Sequence, residues 1–420
     1  MDLHISILFA ILISGEGQHR WSKINEVLRW KQVDYQLSSD RVRNELISSR
    51  RFIPENNSML GLEVWRDKVF ITVPRWYQGV VATLNYVNLN SRSKSPPLIP
   101  YPDYTTNDIH SGDLNNKIIS TTRIFVDSCN RLWVPDNGQE GISTGATTRL
   151  SSHKLFVFDL NTNRLLKKIA IGRDVAREQT LFYEVAVEVT NNDCSRAFAY
   201  LADTVGYGLV VYSYATDSLT RISNTYLYFE PQNSVFNNVQ FNDGIMGIAL
   251  SQTRHDGFRT MYFHALASYN EYNVSTQVLR DPTLSGDFTR FKLMGSRGEK
   301  GQSTTQRLDE KTGVLFYTQV MKNGIGCWNS KMYPNEYSTA TNGMVVVDRT
   351  RITFPSALTL DSNRDVWVLS NNLLSFGART MNPKDFNYRI YNASVESLIK
   401  DTMCDVVTEP AASAPQIWSK

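Results

Sequence analysis

Short apolar strands recur along the chain, each following a polar turn rich in Asp, Asn and Gly. Three copies run Trp65 to Thr72, Asp127 to Val134 and Asp193 to Tyr200; three more run His255 to Phe263, Asp309 to Tyr317 and Asp361 to Val368. Most are preceded by another apolar stretch, as in Ile124-Phe125-Val126 and Leu358-Thr359-Leu360. The unit is strand, tight turn, strand, and its spacing of roughly 50 to 65 residues marks a repeat architecture. A lone hairpin cannot bury both its faces. Copies set radially can, which predicts an all-β fold: one closed domain, a six-bladed β-propeller with a central pore. A small ligand is then expected at one mouth of that pore.

Outside the repeat the pattern changes. Residues 18–58 read as an entry segment with helical character near Asp40 to Ser49, and Val33-Asp34-Tyr35 as an extended stretch that closes the ring against the last blade. Leu98-Ile99-Pro100-Tyr101-Pro102 holds two prolines, which remove ladder donors, so residues 91–118 read as one long loop. Residues 136–149 and 323–342 read as further loops. The apolar run from Leu3 to Ile13, followed by Ser14, Gly15 and Gly17, predicts a secretory signal over residues 1–17. It is shorter than the roughly 20 residues that cross a bilayer, and no later stretch reaches that length. The expectation is a secreted, extracellular protein without a membrane partner, a propeller over residues 18–405, and a disordered tail over 406–420.

A net charge of +3 with no long basic run argues against a nucleic-acid partner. The four cysteines allow three pairings. Cys129 and Cys194 occupy comparable turns of neighbouring repeats, which predicts Cys129–Cys194 and leaves Cys327–Cys404 to tie the last blade back to the one before. Without CxxC, HExxH, a phosphate loop or a Gly-x-Ser-x-Gly elbow, neither metal nor cofactor is expected. Asn56-Asn57-Ser58, Asn273-Val274-Ser275 and Asn392-Ala393-Ser394 are glycosylation sequons, with Asn56, Asn273 and Asn392 as acceptors.

Several segments, in order, resemble the insect Yellow and major royal jelly protein family. They include Val73-Pro74-Arg75-Trp76, Thr83-Leu84-Asn85-Tyr86, Arg131-Leu132-Trp133-Val134-Pro135-Asp136 and Ala199-Tyr200-Leu201-Ala202-Asp203. Asp243-Gly244-Ile245-Met246-Gly247-Ile248, Gly326-Cys327-Trp328-Asn329, Phe354-Pro355-Ser356 and Asp365-Val366-Trp367-Val368-Leu369-Ser370 continue the match. The resemblance implies a secreted six-bladed propeller. It also implies one of several roles: dopachrome conversion in melanin formation, binding of serotonin and catecholamines, or a cuticle-pigment or nutritive role. Pro135 and Asn371 depart from the family pattern near the pore mouth.

In such a blade the first strand begins, and the second ends, on the same face. Residues at those ends are the ligand-binding candidates: Asp136, Asp203, Asp243, Thr304, Gln319, Ser356 and Ser370, with Tyr101 on the proline-rich loop as a cover over the opening. Tyr183 and Phe236 are further aromatic candidates. Carboxylates suit an ammonium group and aromatic walls suit a flat ring. His264, at a strand end, is the candidate proton shuttle for dopachrome isomerisation. The expected partner is a small aromatic amine or aminochrome. Dopachrome isomerisation is the leading reading, with amine binding without turnover, or a nutritive or cuticle protein, as alternatives.

Overall fold

The computed structural model describes residues 23–405 apart from Asn237 and the side chain of Phe236; the expected signal segment and tail lie outside the described residues. Six four-stranded antiparallel sheets form the blades of a propeller. Blade 1 is built from Leu62–Trp65, Lys68–Thr72, Leu84–Asn88 and Ile99–Pro100. Blade 2 is built from Phe125–Val126, Arg131–Asp136, His153–Asp159 and Arg164–Ile171. Blade 3 comprises Phe182–Val189, Ala197–Asp203, Gly208–Ser213 and Ser218–Ile222. Blade 4 comprises Ile245–Leu250, Thr260–Ala265, Asn270–Ser275 and Lys292–Ser296. Blade 5 follows with Gln306–Asp309, Val314–Gln319, Gly324–Asn329 and Asn342–Val347. Blade 6 takes Pro355–Leu360, Asp365–Asn371 and Tyr388–Ser394 from the end of the chain and Asn25–Trp30 from its beginning.

Each repeated polar turn joins the innermost strand of a blade to its second strand. In blades 2 and 6 the same side-chain logic forms the turn. Asp127 accepts from the N–H groups of Cys129 and Arg131 and from the indole of Trp133. Asp361 does the same for Asn363, Asp365 and Trp367. An Asx turn of this kind satisfies the backbone locally and fixes where the returning strand starts. The turns are also linked around the ring. Arg364 makes two contacts of 2.7 Å to Asp309, and Arg259 reaches Glu310 at 2.5 Å. Cys129–Cys194 joins the turns of blades 2 and 3.

Three expectations about the flanks are corrected. The strand that closes the ring is Asn25–Trp30, paired from Asn25 opposite Asn392 to Trp30 opposite Tyr388. Val33-Asp34-Tyr35 instead crosses to blade 1, where Tyr35 bridges Leu98. Both stretches alternate in burial, Leu28 and Trp30 in one and Val33 and Tyr35 in the other, and the pairing with Tyr388–Ser394 is what assigns closure to Asn25–Trp30. The proline-rich stretch is not all loop. Ile99 and Pro100 pair with Tyr86 and Asn85 as the outer edge of blade 1, a place where a missing N–H costs no ladder bond. Residues 323–342 contain Gly324–Asn329, a regular third strand, so that expected loop is shorter. The helix at Asp40–Ser48 lies where its periodicity predicts, capped by the Ser39 hydroxyl accepting from the N–H of Val42.

Buried side chains form successive clusters between neighbouring blades, so no blade has a core of its own. Asn56, Asn273 and Asn392 are half-buried, and the Asn56 amide already bonds Gln78 and Arg379.

Closure of the ring rests on the Asn25–Trp30 strand, and the Cys327–Cys404 bridge ties the chain after blade 6 back to blade 5. Replacing both Cys327 and Cys404 by Ser should cost about 2–5 kcal/mol, read as a lower guanidinium midpoint with a steeper slope, because the unfolded chain without the cross-link exposes more surface.

Candidate functional site

The innermost strands converge on an axis that side chains fill. Arg307 of blade 5 reaches Glu63 of blade 1 at 3.1 Å and Glu184 of blade 3 at 3.5 Å. Thr305 donates to Glu184 at 2.6 Å and Thr359 to Glu63 at 3.0 Å. Arg123 of blade 2 donates across the axis to the carbonyl of Ser356 in blade 6. Burial pushes the Glu63 carboxyl up to about 7 against the pull of Arg307. These crossings plug the pore and leave each mouth as a separate concavity.

On the face where innermost strands begin, a cavity of ≈ 590 Å³ sits above this plug. That volume suits a drug-sized ring compound. Its wall is largely apolar and aromatic: Trp76, Tyr183, Phe241, Met246, Leu266, Phe354 and Phe376, with Leu373 and Leu374 from the short helix Leu373–Gly377. Arg123 lies 5.1 Å over the Tyr183 ring from below and holds that ring as part of the floor. Ile142 and Ser143 supply part of the rim.

Among the lining residues, Asp243 alone is acidic or basic. It is half-buried, and among the described residues no cation pairs with it. Desolvation against the apolar wall pushes its carboxyl up to about 6. The tight entry to the strand is carried by its neighbour. A Cβ on Gly244 would stand 2.6 Å from both the Leu227 carbonyl and the Tyr207 ring, and the Gly244 N–H donates to Thr204. The Asp243 carboxylate accepts from its own backbone N–H, which offsets part of that rise.

The other sequence candidates are placed as follows. Thr304 lines the cavity, and its hydroxyl bonds Thr318 and the Pro355 carbonyl. Asp136 is fully buried, pairs with Lys154 at 3.1 Å and accepts from the N–H groups of Ile119, Ser120 and Gly138. Asp203 pairs with Arg221 at 2.8 Å and accepts from Thr180, Leu181 and Gly206. Both carboxylates are neutralised within the fold and lie off the cavity. Gln319, Ser356 and Ser370 are buried near the mouth without lining it. Tyr101 is packed edge-on against Phe70, Tyr86 and Phe158 between blades 1 and 2, far from covering the opening. Phe236 lies outside the described side chains.

His264 is sealed between blades 4 and 5. Its Nδ1 stands 2.9 Å from Glu271, which also receives Arg297 at 2.6 Å and Gln306 at 2.7 Å. Burial holds the ring below its ordinary pKa, assisted by Arg297 and opposed by Glu271. It lines no part of the cavity. Of the aromatic wall, Tyr183 was a sequence candidate and lines the cavity, whereas Trp76, Phe241, Phe354 and Phe376 were missed from sequence. Trp76 and Phe354 stand just beyond strand ends, where a search for polar groups passes over them. Among the described residues no His, Cys, Asp or Glu cluster could hold a metal ion, and no helix is long and apolar enough to cross a membrane.

The family model described as major royal jelly protein matches residues 119–404. Protein yellow of Drosophila guanche is 37% identical over 408 residues, covering 95% of this chain and 70% of that protein. Protein yellow of Drosophila melanogaster is 36% identical over 392 residues, covering 91% of this chain and 71% of that protein. A solved structure titled luciferin-regenerating enzyme is similar over 80% of this chain and 91% of its own, at a TM-score of 0.43 and 11% identity, too remote to bear on the site. The chain belongs to the Yellow and major royal jelly protein family.

Proposed function

We propose that the protein binds a small cationic ring compound, a catechol- or indole-derived amine or aminochrome, in the apolar cavity at the pore mouth. The observation that carries this is Asp243: among the described residues, a carboxylate without a cation partner in an otherwise uncharged, aromatic-walled cavity. An ammonium group supplies the missing partner, and the rings around it accept the flat face of the ligand. The two disulfides suit an oxidising compartment, and we place the protein outside the cell.

Dopachrome turnover is the second reading, and the elevated Asp243 carboxyl favours it. Isomerisation removes one proton from each of the two saturated carbons of the five-membered ring and delivers two to the quinone oxygens as the ring system becomes aromatic. A base poised near neutral pH serves the first step. Asp243 replaces His264 as the group for that role, because His264 does not reach the cavity.

Asp243→Asn should weaken serotonin or dopamine binding by about 10- to 150-fold, the equivalent of one charge-assisted hydrogen bond, measured by calorimetry. Wild-type affinity should also fall as pH drops below about 6, because the carboxyl is then protonated. The Asn variant should lose that pH dependence. Equal affinity in both proteins at pH 7.5 would remove Asp243 as the anchor.

The same carboxyl should leave a mark on stability without ligand. Its folded value lies above the unfolded one, so ionisation opposes folding. Stability falls as pH rises through the window from about 4 to about 6 and stays low above it. Asp243→Asn should therefore stabilise the protein by about 1–3 kcal/mol at pH 8 and leave it unchanged at pH 3.

Loss of dopachrome's visible absorbance separates the two readings. Turnover that vanishes in Asp243→Asn supports the enzyme. Amine binding with no turnover in the wild type leaves a binding protein.

A further inference from the structure

A second concavity of ≈ 710 Å³ opens on the same face, at the rim between blades 2 and 3. Arg149, Arg173 and Arg177 line it, with Ser152, His153 and Glu178. None of the three arginines has a carboxylate within ion-pair distance among the described residues. Arg149 is held by neutral acceptors: Gln139 Oε1 at 2.9 Å, the Asn137 carbonyl at 3.2 Å and the Glu178 carbonyl at 3.4 Å. Arg177 donates to the Ser223 hydroxyl at 3.2 Å. Arg173 makes no hydrogen bond or ion pair within the described chain.

The acids beneath are already committed, Asp136 to Lys154 and Asp203 to Arg221. His153 supports the basin without adding charge. Its Nε2 lies 3.0 Å from the Thr180 carbonyl and its Nδ1 3.4 Å from Arg149. Burial first, and then the Arg149 charge, hold this ring below its ordinary pKa. Burial and the like charge of Arg173 likewise push Arg149 down. Glu178 is the one acidic residue of the lining and sits exposed on its rim.

We infer that this basin binds a tetrahedral oxyanion, a phosphate or sulfate monoester, separately from the amine cavity. Guanidinium forks match the oxygens of such a group two at a time, and gathering three of them around a single rim acid, Glu178, that ion-pairs with none of them leaves positive charge for an anion to meet. The fixed position of Arg149 means little ordering is needed on binding. The volume exceeds that of a bare ion and leaves room for a sugar-sized carrier.

The test is calorimetry at low ionic strength with inorganic phosphate, inorganic sulfate, glucose 6-phosphate and N-acetylglucosamine 6-sulfate. At least one sugar ester should bind ten or more times tighter than its bare anion, and the preferred ester identifies phosphate or sulfate as the source. Arg149→Gln with Arg173→Gln should weaken that ester at least tenfold while amine binding in the cavity stays unchanged. Arg173→Gln alone guards against a folding defect, since that side chain bonds nothing in the fold; it should weaken the ester severalfold. No heat with any of the four probes, equal weak binding of bare and sugar-borne anions, or unaltered ester affinity in both arginine variants would each overturn the inference.

Discussion

Six innermost strands meet on an axis too narrow for bulk water, yet they carry charged side chains there. A charge taken out of water costs several kcal/mol unless it is paired and its remaining hydrogen bonds are met. Glu63, Glu184 and Arg307 answer this by crossing the axis, blade 1 and blade 3 to blade 5, with Thr305 and Thr359 filling further acceptor positions. Each of these contacts joins two different blades. The axis is satisfied only when the ring is closed, so the beginning of the chain must return to its end. The Asn25–Trp30 strand is the local means to that condition, and the Cys327–Cys404 bridge fixes the end of the chain on blade 5.

The same plug decides what kind of site the mouth can be. Because Arg123 and its neighbours block the axis, the cavity above them is blind, and its walls come from strand ends and loops. Three aspartates at comparable strand ends then take different fates. Asp136 and Asp203 meet a Lys and an Arg, and their oxygens are taken up by backbone N–H groups. Asp243 meets apolar surface and, among the described residues, no cation, and the cost appears as an elevated carboxyl pKa. A buried charge maintained at a cost in stability is a stronger pointer to a ligand than one already neutralised.

The blades were legible in sequence because each polar turn is a local device. Asp127 and Asp361 complete their hydrogen bonds within six residues, so the pattern survives as a linear motif. The closing strand was less legible: Asn25–Trp30 and Val33 to Tyr35 are both apolar and extended, and only pairing with Tyr388–Ser394 separates them. Pro100 misled because a proline is excluded from a central strand but tolerated at an edge, and edges are a property of the assembled sheet. His264 misled for a related reason. Its position at a strand end is local, whereas its enclosure by Glu271, Arg297 and Gln306 depends on how blade 4 packs on blade 5. Of the aromatic wall only Tyr183 was noticed, because Trp76, Phe354 and Phe376 look like core residues until the ring assembles them around empty space.

That division has a consequence for how the site can change. The axial ion pairs and the turn devices carry closure, and they lie below the cavity or on the opposite face. The wall residues Trp76, Phe241 and Phe354 lie outside the regular ladders of the blades, and Leu373 to Phe376 belong to a short connecting helix. Their replacement alters the shape offered to a ligand while leaving the axis intact. Asp243 stands apart from both sets, since Gly244 performs the turn and the axis does not use it. One fold can therefore hold a binding cavity, an acid–base cavity or an uncharged one by exchanging this residue and its walls, and in this chain the carboxylate is retained against its own desolvation.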